Sequence, residues 1–420
     1  MTGTGCPPAT GPGPDGILRS TRRHGPRGTS REPDPPSTHD DRSGKAPMPP
    51  VDLPPVPAPD EAALAASREH RSHLPSGALG RWAEVLDQLA AVRGRGEATR
   101  RPRLVVLAAE HGVAELGVSA YEPSATASRA AAARAGTGPV AAVARAAGVG
   151  VVVGDLGVLS ATDPDAPEAE DHEETDGLRV GPSDPIDAAD ALGEDEVTAA
   201  IARGRALADR EIDSGADFLV GATCGVGVST PSAVLLAAVT GMEPVDATGR
   251  GSGIDDAAWI TKAGVVRDAL FRVRRAATNA DVPTLLRVAG GADLAALTGL
   301  IAQAAVRRTP VAIHDLPSAV AAVLAHRLAP GADTAMIALT AGSDRGTRRA
   351  LKLLGLRPLT DWATAGDSGL GALLVLPTLW AAETAAYGRS DGDDPGSGSA
   401  LENDSARSAH AVTAWDAELL

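Results

Sequence analysis

Short apolar runs alternate with longer amphipathic stretches through most of the chain. The run LVVLAA at 104–109 is wholly apolar and stops at Glu110, which is typical of a buried parallel strand. Between such runs, apolar residues recur every three or four positions, as at Trp82, Val85 and Leu89, and this spacing predicts helices. Strands are predicted at 104–109, 149–156, 216–220, 310–314 and 335–340, and the main helices at 80–92, 125–147 with a break at 136–139, 194–214, 292–306, 318–329, 346–354 and 370–386.

The order of these elements predicts an α/β fold with a parallel sheet. Strands that alternate with helices form right-handed βαβ units, and the turns after successive strands then lie along one edge of the sheet. The two ends of the chain differ in composition. Residues 1–58 are rich in Pro, Gly, Ser, Thr and charge and are predicted to be a disordered Pro-rich tail, and residues 388–420 a disordered acidic tail, so that 59–387 form the folded part.

Charge and cysteine content argue against several classes of protein. The formal net charge of -15 argues against a nucleic-acid partner, because nucleic-acid binding requires a basic face. Only Cys6 and Cys224 occur, which excludes a disulfide framework or a Cys-rich zinc site and fits a reducing cytosol. The pattern shows no signal peptide and no apolar run of about 20 residues, so the chain is predicted to be cytoplasmic, without a membrane partner.

Two glycine-rich loops flank an apolar helix in the middle of the chain. The first loop, GVGVST at 225–230, precedes the apolar run 233–238, and the second, GRGSGIDD at 249–256, is followed by Lys262. Glycine lets backbone N–H groups approach an anion, and a helix N-terminus adds the positive end of its dipole. The arrangement therefore predicts phosphate binding, although the P-loop spacing GxxxxGK[ST] is absent. For either loop taken alone, the alternative is a tight turn without a ligand.

Nine short motifs in a constant order carry a resemblance to a known family. They are GALGRW at 77–82, EHGV at 110–113, GTG at 136–138, DLGV at 155–158, GVGVSTPSA at 225–233, GRGSGIDD at 249–256 with Lys262, GGADL at 290–294, AGS at 341–343 and GDSGLG at 366–371. In this order over residues 60–387, the chain resembles the nicotinate-nucleotide:dimethylbenzimidazole phosphoribosyltransferase family of cobalamin biosynthesis. The resemblance implies a homodimer and a Rossmann-like, three-layer parallel sheet with a small helical subdomain, formed by about 60–93 and part of the C-terminal helix.

The reaction that the resemblance implies is a glycosyl transfer. An imidazole nitrogen of 5,6-dimethylbenzimidazole or a related base attacks C1′ of nicotinate mononucleotide, nicotinate leaves, and the configuration inverts from β to α. No metal and no cofactor are expected, because the cationic pyridinium is already a good leaving group. A carboxylate must take the proton from the base. The family position of that carboxylate falls on Asp367, where this chain has aspartate in place of glutamate.

The resemblance also implies a set of substrate-binding residues, among which Lys262 is the phosphate or ribose anchor. The set comprises Ser119, Tyr121, Arg129, Cys224, Gly225, Gly227, Ser229, Thr230, Gly251, Lys262, Gly290, Gly291 and Ser343. Arg129 and Cys224 stand where the family has Gln and Leu around the base. The expected partners are therefore two small molecules, nicotinate mononucleotide and a benzimidazole-like base.

Several of these residues also have a structural interpretation. Lys262 taken alone would be a solvated helix residue, and Asp367 between small residues would be a turn former. Asp255–Asp256 would cap the helix that carries Lys262, without any metal. Cys224 is predicted to be a small wall of the pocket, because no base partner is nearby in sequence. His111, after the first strand, is predicted to have a structural role or to support residues that contact the ligand.

Two departures from the family pattern keep a second function open. A family glutamate falls on Thr223 and a family asparagine on Val228. They motivate the alternative of a catalytically impaired paralogue that binds a nucleotide or base as a sensor or partner protein. A dehydrogenase is a more distant third interpretation, because no GxGxxG opens a helix after the first strand with an acidic residue about 20 positions on.

Overall fold

The computed structural model describes residues 51–158, 180–276, 281–365 and 368–388. Its centre is one sheet built from β1 (Pro102–Ala108), β2 (Gly150–Asp155), β3 (Phe218–Thr223), β4 (Val311–Ile313) and β5 (Met336–Ala338). The strands lie in the order β2-β1-β3-β4-β5, and every neighbouring pair is parallel. Each predicted strand is present, and the predicted α/β fold with a parallel sheet is confirmed.

Helices connect the strands, as the alternating pattern predicted. They are α1 (Glu61–His70), α2 (Trp82–Arg93), α3 (Ala125–Arg134), α4 (Gly138–Ala146), α5 (Glu194–Asp213), α6 (Ser229–Thr240), α7 (Pro244–Ala247), α8 (Asp256–Ala276), α9 (Val282–Ala289), α10 (Ala292–Val306), α11 (Leu316–Leu328), α12 (Arg345–Leu353) and α13 (Leu370–Tyr387). The break predicted at 136–139 separates α3 from α4. Gly136 has a φ of +66° there, and Pro139 lies in the first turn of α4, where its missing N–H is tolerated.

Successive residues of each strand face opposite sides of the sheet, and both sides are covered by helices, although the edge strand β2 is mostly half-buried. In β1, Val105 and Leu107 belong to one apolar cluster, whereas Leu104 and Val106 belong to another. The first cluster includes residues of α5, α6 and α8 to α12, and the second includes residues of α2, α3, α4 and α13. The sheet is therefore the middle of three layers, which explains why its strands are apolar runs without a polar side.

Two glycines let α5 and α10 cross closely on the first of these sides. A Cβ at Gly204 would overlap the carbonyl oxygen of Ala296, and a Cβ at Gly299 would overlap the carbonyl oxygen of Ile201. Backbones at this separation have no room for a side chain between them. The crossing holds α10 against β1 and β3, with its first turn beside the loop that follows β1.

The sheet has a point where its connections diverge. From β1 the chain passes to β2 on one side, whereas β3 pairs with β1 on the other side. Open α/β sheets bind ligands in the crevice beyond the carboxyl ends of the strands at such a switch point. Ser183 holds the loop after β1 there: its N–H donates to the Glu110 carbonyl over 3.0 Å, and its carbonyl accepts from the Gly112 N–H over 2.7 Å.

The first described residues lie against the helices on one side of the sheet. Val51, Leu53 and Val56 pack against the first apolar cluster, and Arg205 donates from Nη1 to the Asp52 carbonyl over 3.0 Å. Residues 51–58 of the predicted N-terminal tail are thus in contact with the core, and residues 1–50 lie outside the described residues. The predicted loop at 161–176 and residues 389–420 also lie outside them, so the limits 59–387 for the folded part stay a prediction.

The residues predicted to form a small helical subdomain are α1, α2 and part of α13. α1 packs on α2, and the Ser67 hydroxyl of α1 is 2.8 Å from the Tyr387 hydroxyl of α13. Val85, Leu86 and Leu89 of α2 belong to the second apolar cluster. α2 and α13 therefore lie on the same side of the sheet, and α1 packs on α2.

α13 is the one helix in the described ranges that is long and apolar enough to cross a membrane, and half of it is buried. It carries Glu383, which accepts hydrogen bonds from Thr99 N (3.0 Å) and Thr99 Oγ1 (2.8 Å). Trp380 donates from Nε1 to the Ala147 carbonyl over 3.0 Å, and its ring meets Phe218 edge-on. These contacts are those of a core helix, and the sequence predicted a helix over nearly the same residues, at 370–386.

Candidate active site

An open cleft with about 570 Å³ of empty space lies beyond the carboxyl ends of the strands. Its walls come from the loops after β1, β3, β4 and β5, from α3 and from the loop before α8. The lining residues are Ser119, Tyr121, Arg129, Thr223, Cys224, Gly225, Val226, Gly227, Val228, Ser229, Gly251, Ser252, Asp315, Leu316, Pro317, Asp344 and Ser368. Most of the substrate-binding residues predicted from the sequence are in this lining.

One part of the cleft is built around a buried lysine. Lys262 of α8 is fully buried, and its Nζ donates to Ser229 Oγ over 2.8 Å. Ser229 is the first residue of α6, so the ammonium group lies at the positive end of that helix. Burial lowers the pKa of Lys262 to about 8, and Asp344 acts in the opposite direction. Two sources of positive charge therefore meet here, as in sites that bind phosphate.

Gly251 keeps space open beside this lysine. Its φ of +50° is in the left-handed region, which glycine occupies without steric cost. A Cβ at this position would lie 2.6 Å from Ser229 Oγ and 3.1 Å from Lys262 Nζ. Any side chain at 251 would therefore occupy the space in front of the lysine–serine pair.

Another part of the cleft is formed by Arg129 of α3. Its Nη2 donates to Ser368 Oγ over 3.2 Å, and its guanidinium carbon lies 5.3 Å from the centre of the Tyr121 ring. Cys224, next to the end of β3, is also a wall here. Burial raises the pKa of its thiol to about 12, with a partial offset from Arg129. A thiol that stays protonated at neutral pH is a poor nucleophile, so Cys224 supplies shape rather than covalent chemistry.

Hydrogen bonds join the loop after β1 to the loop before α8. The Ser119 and Ser252 hydroxyls are 3.1 Å apart, and the Ala120 N–H donates to Ser252 Oγ over 2.8 Å. Asp255 Oδ1 accepts from the Ala258 N–H over 2.9 Å at the start of α8. Asp255 therefore caps the helix that carries Lys262, in agreement with its structural interpretation.

Two carboxylates in the lining were missed by the sequence prediction. Asp315 follows β4 and Asp344 follows β5. Burial raises the pKa of Asp344, Lys262 lowers it and Asp315 raises it, so the three charged groups interact. Their position in the chain was the signal that would have found them, because ligand contacts gather at the carboxyl ends of parallel strands.

Four residues predicted to bind substrate lie elsewhere. Thr230 is fully buried in α6. Gly290–Gly291 join α9 to α10, and Ser343 is exposed to solvent next to Asp344. Asp367, the predicted catalytic residue, lies outside the described residues, whereas Ser368, which follows it in the chain, is in the lining.

A buried pair, His111 and Asp293, lies close to two of the glycines, Gly225 and Gly291. His111 Nε2 is 3.1 Å from Asp293 Oδ2, and both side chains are completely buried. A Cβ at Gly225 would lie 3.0 Å from both side chains, and a Cβ at Gly291 would overlap the His111 ring. Gly291 is therefore required by packing around this pair, which fixes the loop after β1 to the start of α10.

Replacing Asp293 with alanine is expected to lower the free energy of unfolding by about 1–3 kcal/mol, because the buried Nε2 of His111 loses its hydrogen-bond partner. Chemical denaturation at neutral pH measures the change. The control is Asp333→Ala: Asp333 Oδ1 is 2.9 Å from His326 Nδ1, but these side chains are 34% and 42% exposed. An exposed pair of this kind contributes less than about 1 kcal/mol. Equal losses in the two variants would contradict a structural role for the buried pair.

Comparisons with known proteins show what most of the chain is similar to. A family model described as Phosphoribosyltransferase matches residues 56–391. Two relatives named Nicotinate-nucleotide--dimethylbenzimidazole phosphoribosyltransferase, from Mycobacterium avium (strain 104) and Mycobacterium tuberculosis (strain ATCC 25618 / H37Rv), are each 44% identical to this chain. The matches span 334 and 335 residues, which is 79% of this chain and 93% and 90% of the two relatives. The crystal structure of CobT from Thermus thermophilus matches with a TM-score of 0.69 and 31% identity, over 78% of this chain and 96% of that one.

The similarity is not confined to a common fold. The relatives are matched over nearly their whole length, and the family model covers both the sheet and the loops that form the cleft. The family predicted from the nine motifs is confirmed: the chain belongs to the nicotinate-nucleotide–dimethylbenzimidazole phosphoribosyltransferase family.

Proposed function

We propose that the protein transfers the phosphoribosyl group of nicotinate mononucleotide to 5,6-dimethylbenzimidazole or a related base. The products are α-ribazole 5′-phosphate and nicotinate, in the assembly of the cobalamin nucleotide loop. One observation carries the proposal: a cleft with a buried lysine at a helix N-terminus, in a chain 44% identical to enzymes with that name.

The reaction exchanges one C–N bond for another and moves one proton. A nitrogen lone pair of the base attacks C1′ of the ribose, and the electrons of the bond to nicotinate neutralise its pyridinium ring. Attack on the face opposite nicotinate converts the β configuration to α. The newly attached base carries a positive charge until its other ring nitrogen gives a proton to a carboxylate, for which we propose Asp367. The protein's contribution is to position both substrates and to accept that proton.

The phosphate is proposed to bind in front of Lys262. The ammonium group, the Ser229 hydroxyl and the positive end of α6 converge there, and Gly251 leaves the space open. A phosphate group with a second pKa of about 6 is largely dianionic at neutral pH, when Lys262 is still mostly protonated. Charge and space therefore both favour this position.

Replacing Gly251 with alanine is expected to lower kcat/KM for nicotinate mononucleotide by about 10- to 100-fold, because the methyl group displaces the phosphate and misplaces C1′. Initial rates of nicotinate release measure the effect. The control is Gly253→Ala: Gly253 also has a positive φ, +91°, but a Cβ there meets nothing within 4 Å. Both variants strain the backbone, so equal losses of activity would contradict a role for the space beside Lys262.

The base is proposed to bind near Arg129, Tyr121 and Cys224. This part of the cleft holds a guanidinium group over an aromatic ring, and Cys224 is a small wall beside it. Thr223 and Val228, which replace a family glutamate and asparagine, are both in the lining. The wall around the base therefore has one positive charge and lacks one carboxylate relative to the family pattern.

The proposed activity is tested with purified protein, nicotinate mononucleotide and one of three bases: 5,6-dimethylbenzimidazole, 5-hydroxybenzimidazole or adenine. Base-dependent release of nicotinate is expected, together with an α-linked nucleotide product identified by chromatography and NMR. Reactions without base control for hydrolysis. No base-dependent release with any of the three would reject the proposed activity, and the relative rates identify the accepted base.

The alternative of a catalytically impaired paralogue predicts tight binding without turnover. The two mycobacterial relatives have the name of the enzyme, and so give this alternative no support. It rests only on Thr223 and Val228. Calorimetric binding of nicotinate mononucleotide, with no release of nicotinate when any of the three bases is added, would favour it.

The homodimer expected from the resemblance is proposed to form along α7 and α8. Ile260 and Phe271 of α8 are 66% and 62% exposed and lie about three helical turns apart, on the same side of the helix. Val245 of α7 is 59% exposed. Sedimentation velocity at several concentrations is expected to show a dimer, and Phe271→Glu a monomer.

A cytoplasmic location without a nucleic-acid or membrane partner is also proposed. The net charge of -15 and the two cysteines support it. Fractionation of cells that express the protein tests the location.

A further inference from the structure

Asp344 stands at the N-cap position of α12 but does not cap it. At α1, α9 and α11 the N-cap residue is also aspartate, and there Asp60, Asp281 and Asp315 each accept a hydrogen bond from the N–H three residues on. The side chain of Asp344 makes no such bond. A cap of this kind typically stabilises a helix by about 1 kcal/mol. The carboxylate of Asp344 is therefore turned away from the position where it would stabilise its own helix.

Gly249 provides the space into which this carboxylate turns. A Cβ at position 249 would overlap Asp344 Oδ1, so any other residue there would push the carboxylate away. Gly249 is two residues before Gly251, which borders Lys262, and Asp344 itself lines the cleft. The carboxylate thus lies in the cleft next to the proposed phosphate position.

Among the described residues, no group donates a hydrogen bond to Asp344. Lys262 interacts with it electrostatically, but the lysine donates its hydrogen bond to Ser229. The other carboxylate of the cleft, Asp315, accepts from the Ser318 N–H over 2.9 Å. Asp344 is half-buried in the wall of the cleft, so its carboxylate offers an acceptor that a donor group of a bound ligand is suited to satisfy.

A nucleotide offers one kind of donor at this place. Its phosphate is an acceptor at neutral pH and is repelled by a carboxylate. Its ribose hydroxyls can donate, and they lie on C2′ and C3′ of the ring, which the C5′ methylene group joins to the phosphate ester. We propose that Asp344 accepts a hydrogen bond from a ribose hydroxyl of the bound nucleotide, and thereby selects ribonucleotides over deoxyribonucleotides. The inference rests on the proposed function. It makes Asp344 a specificity residue that is separate from the proton acceptor of the reaction.

The experiment compares nicotinate mononucleotide with its 2′-deoxy and 3′-deoxy forms, in the unchanged protein and in Asp344→Ala. We expect Asp344→Ala to lower kcat/KM for the ribonucleotide by about 10- to 100-fold and to leave one of the deoxy forms nearly unaffected, because a hydrogen bond to a charged group is lost only where the hydroxyl is present. The quantity compared is the ratio of kcat/KM for the ribonucleotide to kcat/KM for each deoxy form, in the unchanged protein and in Asp344→Ala. Differences in intrinsic reactivity between the sugars are the same in both proteins and therefore cancel.

Asp281→Ala is the control for loss of an aspartate at a helix N-terminus. It removes a real cap, at 2.7 Å from the Thr284 N–H and away from the cleft, so it should lower the Tm and leave the ratio unchanged. Asp344→Ala should leave the Tm unchanged or raised, because no cap is lost. If Asp344→Ala does not fold, Asp344→Leu, which has a side chain of similar size and no acceptor, gives the same comparison.

The possible results distinguish the role of Asp344 from the proposed function itself. Asp344→Ala that slows all three nucleotides equally would overturn the selection of ribose and would indicate that Asp344 acts only on the charge of Lys262. The proposal is supported if, in Asp344→Ala, the ratio of kcat/KM for the ribonucleotide to kcat/KM for one of the deoxy forms falls. An unchanged protein that releases no nicotinate from any of the nucleotides would reject the proposed function itself, and this inference with it.

Discussion

Replacing Lys262 with methionine is expected to lower kcat/KM for nicotinate mononucleotide by about 10²- to 10³-fold, because a dianionic phosphate loses a buried charged partner. Methionine keeps the length of the side chain and removes the charge. Steady-state rates of nicotinate release measure the loss. Lys352, which is exposed on α12, provides the control, and Lys352→Met should have the activity of the unchanged protein. A Lys262→Met protein with unchanged kcat/KM would show that the phosphate binds elsewhere.

The same substitution is expected to stabilise the ligand-free protein. The pKa of Lys262 is lowered from 10.5 to about 8, mainly by burial. Between those two values the unfolded chain binds a proton that the folded chain does not, so the stability of the native protein rises with pH in this window. Below pH 8 the charged Lys262 lowers the free energy of unfolding by its full amount, on the order of 3 kcal/mol. The methionine variant should be more stable at pH 7, and its stability should not rise with pH in this window. Urea denaturation at several pH values measures both effects.

Activity is expected to depend on pH in the opposite direction. Above pH 8 the Lys262 amine is neutral in the ligand-free protein and no longer attracts the phosphate. Since kcat/KM reports the free enzyme, it should fall as pH rises through about 8. The Lys262→Met variant should not show this alkaline limb. An alkaline limb at the same pH in both proteins would assign it to another group.

Replacing Asp367 with alanine is expected to lower kcat by about 10²- to 10⁴-fold, because the base then loses the carboxylate proposed to accept its proton. The control is Asp361→Ala, in the same segment of the chain: Asp361 is exposed and pairs with Arg348 at 2.8 Å. Asp367→Glu restores the residue of the family pattern and should retain at least the activity of the unchanged protein. Rates at saturating nucleotide and base distinguish the three variants.

Two results would contradict different parts of this prediction. Full activity in Asp367→Ala would direct attention to Asp315 and Asp344, the carboxylates that line the cleft. A loss of activity in Asp367→Glu as large as in Asp367→Ala would show that the chain does not tolerate the longer carboxylate at this position. In that case the alignment of 366–371 with the family motif would be shifted.

The sheet was predictable from the sequence because its strands are buried on both sides. A run such as Leu104–Ala109 needs no partner to be recognised, since every position is apolar and the run ends at a charged residue. The long helices were equally clear, and α10 begins and ends at the predicted residues. The predicted boundaries of β3 differ by up to three residues, because Gly221, Ala222 and Thr223 pair with β1 although their sequence is typical of a loop.

The cleft was predictable only as a set of loops. Four predicted residues line the cleft because they follow β3 or precede α8: Gly225, Gly227, Ser229 and Gly251. Lys262, within α8, contacts the cleft through its hydrogen bond to Ser229. The prediction after β5 selected Ser343, but the neighbouring Asp344 lines the cleft. Which of two adjacent side chains faces a cleft depends on backbone torsion angles and on residues far away in the chain, here Gly249.

Local pattern thus accounts for the parallel sheet, for the family and for the loops that meet at the carboxyl ends of the strands. Periodicity and short motifs are properties of neighbouring residues, so one sequence suffices to recognise them. Tertiary packing alone decided that Gly291 serves the buried His111–Asp293 pair and that Asp344 turns from its helix into the cleft. Both facts depend on contacts between segments distant in sequence, which no local pattern records.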